Sequence, residues 1–142
     1  MATEYRDLRE WLKRVEALGE LKELKGLHWD KEMGAFVEMC VRAKGGRAPA
    51  FLFDEIPGYP PGTRCLYGML NSPKRFAFSM GLPTTGAEKT MDLLKIYRQR
   101  VKEIKPVPPR VVNWGPIMEN VIEGDTVDLF KFPVPIHHEL DG

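Results

Sequence analysis

Prolines and glycines limit how far any helix or strand of this chain can run. The 12 prolines and 13 glycines cluster at Pro57 to Gly62, Gly81 to Gly86, Pro106 to Pro109 and Pro133 to Pro135. Proline lacks an N–H and cannot continue a helix, and glycine tolerates the left-handed conformations that end one. The segments between the clusters are therefore short, and each must be read separately. No internal repeat and no low-complexity stretch is present.

Apolar spacing assigns those segments. Leu8, Trp11, Leu12, Val15 and Leu18 lie three or four positions apart and predict a first helix, with Thr3 as its cap and Gly19 as its terminator. Leu21 to Leu27 reads as extended. A second helix carries Met33, Phe36, Val37, Cys40 and Val41 on one face, with Asp30 as its expected cap and Gly45-Gly46 as its stop. Ala50 to Phe53 is an uninterrupted apolar run of strand length, and Cys65 to Leu70 reads as another strand. Ser72-Pro73 is a helix start, because serine caps and proline fits the first turn; that helix should run to Met80. Ala87 to Ile104 is the longest amphipathic segment, with Met91, Leu94, Tyr97 and Val101 as its apolar positions and basic residues near its C-terminal end, where the helix dipole favours them. Val111 to Trp114 and Glu119 to Ile122 are strand candidates, and Asp125 or Thr126 should open a helical turn reaching Leu129. The strands are too few and too short for a doubly wound sheet. The expectation is one small α+β domain followed by an extended C-terminal segment.

Composition excludes several function classes. With 43% hydrophobic and 29% charged residues the chain reads as a globular domain. Its formal net charge of +1 gives no electrostatic reason to bind nucleic acid or an anionic membrane. No apolar run approaches the roughly 20 residues that span a bilayer, and Met1 to Glu10 holds no signal-peptide core. These features lead to the expectation of a cytoplasmic protein. Cys40 and Cys65 form no CxxC pair and read as small core side chains.

Candidate chemistry is sparse. His137, His138, Glu139 and Asp141 form the densest polar group, but adjacent residues of an extended chain face opposite sides, so the two histidines are poorly placed to share a metal. Arg64, Lys74 and Arg75 lie near the Ser72 helix start, where they suggest either an anion contact or a solvated charged face. Glycine-rich phosphate loops and nucleophile elbows are absent.

Three ordered stretches nevertheless resemble one family, the UbiD-type decarboxylases. They are Asp7 to Leu12 with Gly19-Glu20-Leu21; Pro49 to Gly58 (PAFLFDEIPG) with Asn71 to Arg75 and Met80 to Pro83; and Gly115 to Val121 with Gly124-Asp125, Val127-Asp128-Leu129, Phe132 to Pro135, His138 and Asp141-Gly142. The last resembles the family pattern in which GPV-x-EN-V leads to GDDVDL, P-x-P, H and DGG. Thr126 departs from it, and the sequence stops at the first glycine of the closing pair. The resemblance implies that residues 1–110 form the family's α+β N-terminal domain and that 111–142 begin the segment leading into its split β-barrel. It implies a (de)carboxylase of aromatic or α,β-unsaturated acids that uses prenylated flavin mononucleotide with a divalent metal and potassium. The family's cofactor ligands and its catalytic arginine and two glutamates lie beyond the DGG motif. No catalytic, cofactor-binding or metal-binding residue is therefore carried onto this chain. The expectation is an N-terminal part or small subunit, inactive alone, completed by a larger catalytic chain or by homo-oligomerisation. The alternative is an accessory subunit that stabilises a full-length enzyme. Phe130 to Gly142 should dock on the partner, with Phe130, Phe132, His137 and His138 as the contact residues.

Overall fold

The computed structural model describes residues 5–45, 47–85 and 89–141. Thr3, Gly46, Gly86, Ala87 and Gly142, each named above, lie outside them. The elements run α1 (Leu8–Ala17), β1 (Leu21–Lys25), α2 (Glu32–Ala43), β2 (Ala50–Asp54), β3 (Cys65–Tyr67), α3 (Pro73–Ser79) and α4 (Thr90–Glu103). The fold is α+β, as expected.

The sheet has the order β1-β2-β3. β1 and β2 are parallel, with Leu21 opposite Ala50 and Lys25 opposite Asp54, and α2 supplies the crossover that parallel pairing demands. β3 runs antiparallel to β2, with Phe51 opposite Tyr67. The apolar run of β2 is explained by its central position, since both of its faces are covered. Phe51 and Phe53 point into a cluster with Met33 and Val37 of α2, while Ala50 points the other way, into Trp11, Val15 and Phe78. Trp11 is fully buried, and its indole N–H donates to Ser79 Oγ at 2.8 Å. Cys40 and Cys65 are half-buried free thiols at the margin of the first cluster.

Local signals explain most helix ends. The Asp7 carboxylate accepts the Glu10 N–H and caps α1, and Gly19 beyond it has φ +71°. Ser72 Oγ accepts the Arg75 N–H at 3.1 Å, with Pro73 in the first turn. α2 differs from expectation: Asp30 caps nothing and instead pairs with His28 at 2.7 Å, while Glu32 takes the His28 N–H. α4 also differs. Its buried stripe is Leu93, with Ile96 and Tyr97, against Ala77, Leu82 and Phe76, and Met91, Leu94 and Val101 are exposed. The helix carries two apolar stripes, and the shape of α3 selects the other one.

Of the three basic residues read beside Ser72, Arg64 is exposed, whereas Lys74 and Arg75 turn into the domain. Arg75 is fully buried. Its guanidinium donates to Glu20 Oε2 at 2.6 Å, to the Glu20 carbonyl at 3.4 Å, to Ala48 O at 2.7 Å and to Gly68 O at 3.1 Å. Ser72 Oγ also donates to Glu20 Oε2 at 2.7 Å, and Lys74 Nζ donates to Leu18 O at 3.1 Å. Burial pulls the Arg75 pKa down and Glu20 opposes the shift, so the pair is held as an ion pair within the domain.

Truncating Arg75 removes the charged donor to the Ala48 carbonyl and leaves Glu20, its side chain 24% exposed, without its cation, at about 1–3 kcal/mol. Arg75→Met should lower the unfolding free energy by about that amount in urea titrations, and Arg75→Lys should also destabilise because an ammonium cannot reproduce the fork. Breaking the exposed Arg42–Glu38 pair by Arg42→Ala should change stability by less than about 1 kcal/mol.

Candidate interaction site in the C-terminal segment

Residues 105–132 carry no strand. Val111 to Trp114 and Glu119 to Ile122, both expected as strands, are exposed chain, because a strand exists only by pairing and neither segment pairs with the three-stranded sheet. The single turn expected between Asp125 and Leu129 is two short 3-10 turns, Gly124–Thr126 and Leu129–Lys131, with a third at Pro116–Met118. Asp128 caps the last of these in the chain by accepting the Phe130 N–H at 3.0 Å.

Apolar side chains along this stretch face solvent. Ile117 is 92% exposed, Phe130 90%, Trp114 68% and Phe132 64%. Soluble monomers seldom present so contiguous an apolar surface, and its usual meaning is an interface.

The chain then returns to the domain. Tyr59 Oη donates to Phe132 O at 3.2 Å. The Ile136 N–H donates to Trp29 O at 3.2 Å, leaving Pro133, Pro135 and Ile136 half-buried. The His137 ring lies 5.4 Å from Tyr67, centroid to centroid. A cleft of about 500 Å³ separates this strap from α2, lined by Lys31, Glu38, Met39 and His138 among others.

The two histidines diverge, as an extended chain requires. His137 packs on Tyr67, whereas His138 Nδ1 sits 3.6 Å from Asp141. Asp141 closes a turn by accepting the N–H groups of His137 at 3.0 Å and His138 at 2.9 Å. Those two donors hold its carboxyl below the usual carboxylate range. Among the described residues no three His, Cys, Asp or Glu side chains converge on a point where a metal would sit. Sequence reasoning named Phe130, Phe132, His137 and His138. It missed Trp29, Tyr59, Tyr67 and Gly34, the residues on which the strap rests.

A carboxyl with a depressed pKa stabilises its turn above the ordinary carboxylate pKa and loses that effect as pH falls through the lower folded value. The protection of the His137 and His138 amides, taken relative to their intrinsic exchange rates at each pH, should therefore fall on acidification below the normal carboxylate range. Asp141→Ala should lower that protection already at neutral pH, as read by NMR.

Comparison with known proteins matches this architecture. Residues 12–94 fit the model of the 3-octaprenyl-4-hydroxybenzoate carboxy-lyase N-terminal domain, the UbiD N-terminal domain. Pyrrole-2-carboxylic acid decarboxylase of Pseudomonas aeruginosa is 32% identical over 144 aligned residues, which cover 96% of this chain and 28% of that protein. The structure of vanillic acid decarboxylase from Sedimentibacter hydroxybenzoicus in its closed form superposes with a TM-score of 0.78 at 30% identity, over 97% of this chain and 28% of its own. The open form gives 0.75 at 30% identity, over 97% and 29%. The chain thus spans less than a third of the relatives it matches, and what it matches there is one folded unit together with the segment behind it. No helix among the described residues is long and apolar enough to cross a membrane. By its sequence, its sheet order and its helix placement, the chain belongs to the UbiD N-terminal domain family.

Proposed function

We propose that this chain is the N-terminal part or small subunit of a UbiD-type (de)carboxylase that acts on aromatic or α,β-unsaturated carboxylic acids and is inactive until a longer catalytic chain completes it. The observation that carries this reading is the uncovered apolar segment between Val107 and Val134. At roughly 25 cal/mol per Å² of apolar surface removed from water, covering such a stretch is a large driving force for association. Residues 1–110 act as the scaffold and 111–142 lead into the partner. Phe130 and Phe132 are the apolar anchors, with His137 and His138 beside them at the contact. The names of the similar proteins, one acting on a pyrrole carboxylate and one on vanillic acid, support an aromatic acid as substrate.

Prenylated flavin with its divalent metal and potassium belongs, in this reading, to the completing chain. The described residues do not fit that group: they offer no three-ligand cluster, and the one dense polar turn spends its carboxylate on backbone N–H groups. No step of the reaction is assigned to them. A cytoplasmic location is in keeping with the free thiols of Cys40 and Cys65.

Native mass spectrometry of the chain, alone and mixed with a UbiD-type catalytic chain lacking its own N-terminal region, tests the proposal. Alone, the chain should show no flavin absorbance and no decarboxylation of a panel of aromatic acids. The mixture should form a flavin-containing complex that is active. Phe130→Ser with Phe132→Ser should weaken that complex by at least about tenfold, a loss near 1.4 kcal/mol, without moving the melting temperature of the isolated domain. A chain that is yellow and active alone would sink the reading. A chain that binds only an already full-length enzyme would point to the accessory role instead.

A further inference from the structure

Gly34 stands in the first turn of α2, where glycine is a poor choice. It is less favourable than alanine in a helix by about 0.8–1.0 kcal/mol, and its φ is not in the left-handed region that would call for it. The space around it supplies the reason. A Cβ built there would fall far inside van der Waals contact of the Ile136 carbonyl oxygen, and 3.1 Å from both the Ile136 carbonyl carbon and the His137 Cα. All three atoms are backbone, so no rotamer change relieves the clash. The described neighbours of this contact are also specific: the Ile136 N–H donates to Trp29 O, and the His137 ring rests on Tyr67.

We infer that Gly34 is a positioning residue: it is the seat into which the backbone at Ile136 and His137 is clipped, and the clip fixes the direction in which the chain leaves the domain beyond residue 138. The segment before the clip, residues 105–132, touches the domain little beyond the Tyr59–Phe132 hydrogen bond. The exposed segment continues from α4 at one end, and its other end is held at this close approach. This rests on geometry within the chain and stands or falls apart from the catalytic proposal.

The test is a double-mutant cycle in the full chain between Gly34→Ala and Ile136→Pro, the second removing the N–H that holds the strap to Trp29. Hydrogen exchange by NMR and thermal melting are the readouts. In Gly34→Ala the Ile136 amide should exchange at least about tenfold faster and the Tyr67 ring-current shift on His137 should vanish, while β2 amides stay protected. In the Ile136→Pro background the same substitution should be neutral or raise the melting temperature, because the clash is gone and alanine suits the helix better. A single variant that fails to fold but is rescued in the double variant supports the inference equally. The inference is overturned if the Ile136 amide stays slow in Gly34→Ala. It is also overturned if the substitution lowers the melting temperature equally in both backgrounds, or if neither background folds.

Discussion

The ion pair between Arg75 and Glu20 closes this domain. A three-stranded sheet with a single five-residue central strand has little apolar area with which to fix the helices around it. The carbonyls of Glu20, Ala48 and Gly68 approach one another where β1 begins, where the chain enters β2 and where it leaves β3. The Glu20 carbonyl also accepts the Ala50 N–H at 2.8 Å and the Gly68 carbonyl the Asn71 N–H at 3.3 Å, and Arg75 adds a charged donor to each, since carbonyls in a dry interior are costly when unmet. One guanidinium serves all three carbonyls and the Glu20 carboxylate together. Ser72 shares that carboxylate while capping the helix that carries Arg75. Cap, charge pair and strand ends are thus one connected network, and among the described residues no buried side-chain polar atom lacks a partner. Such networks confer order only when complete, which is why the fold depends on this one side chain.

Much of the architecture was legible in the sequence because it rests on local rules. The run AFLF, Ala50 to Phe53, is a strand because it is apolar throughout, and it is central for the same reason. Ser72-Pro73 opens a helix that Gly81 follows, and Gly19 follows α1, the two glycines having φ +63° and +71°. The misreadings occur where a distant partner decides. Asp30 has the chemistry of a cap but is drawn to His28. α4 offers two apolar stripes, and only the position of Phe76 and Leu82 chooses between them. Lys74 and Arg75 are adjacent and equally charged, yet one reaches a carbonyl at the domain margin and the other is the most connected side chain in the interior. Nothing in their spacing distinguishes them, because the distinction is made by Glu20, 55 positions away.

The interaction segment shows a similar division. Its motifs carried the family resemblance, and Phe130, Phe132, His137 and His138 are all exposed. The opposing surface was invisible. Tyr59 looked like part of a rigid proline loop, and Tyr67 looked like an ordinary strand residue. A glycine inside an apolar helical pattern was the one available signal for the strap's seat, since such a residue usually marks a close backbone approach. The expected strands at 111–122 failed for a simpler reason. Their apolar side chains are exposed, and apolar content alone does not distinguish a paired strand from an uncovered segment.

The sheet order has a consequence for self-association. β1 lies at an edge, so one side of its backbone is left with unpaired hydrogen-bonding groups. Its sequence, Leu-Lys-Glu-Leu-Lys, makes that edge a poor template for a second copy. Laid alongside itself in parallel register, it would stack Lys22 on Lys22, Glu23 on Glu23 and Lys25 on Lys25. Laid antiparallel about Glu23, it would set the two Glu23 carboxylates opposite each other. Like charges facing across a ladder oppose pairing, and lysine is a common guard of exposed strand edges. A domain with so much apolar surface in one segment therefore keeps the β1 edge of its sheet from offering a second, indiscriminate route to aggregation. The exposed apolar side chains lie instead in the C-terminal segment, where they present shape rather than bare backbone.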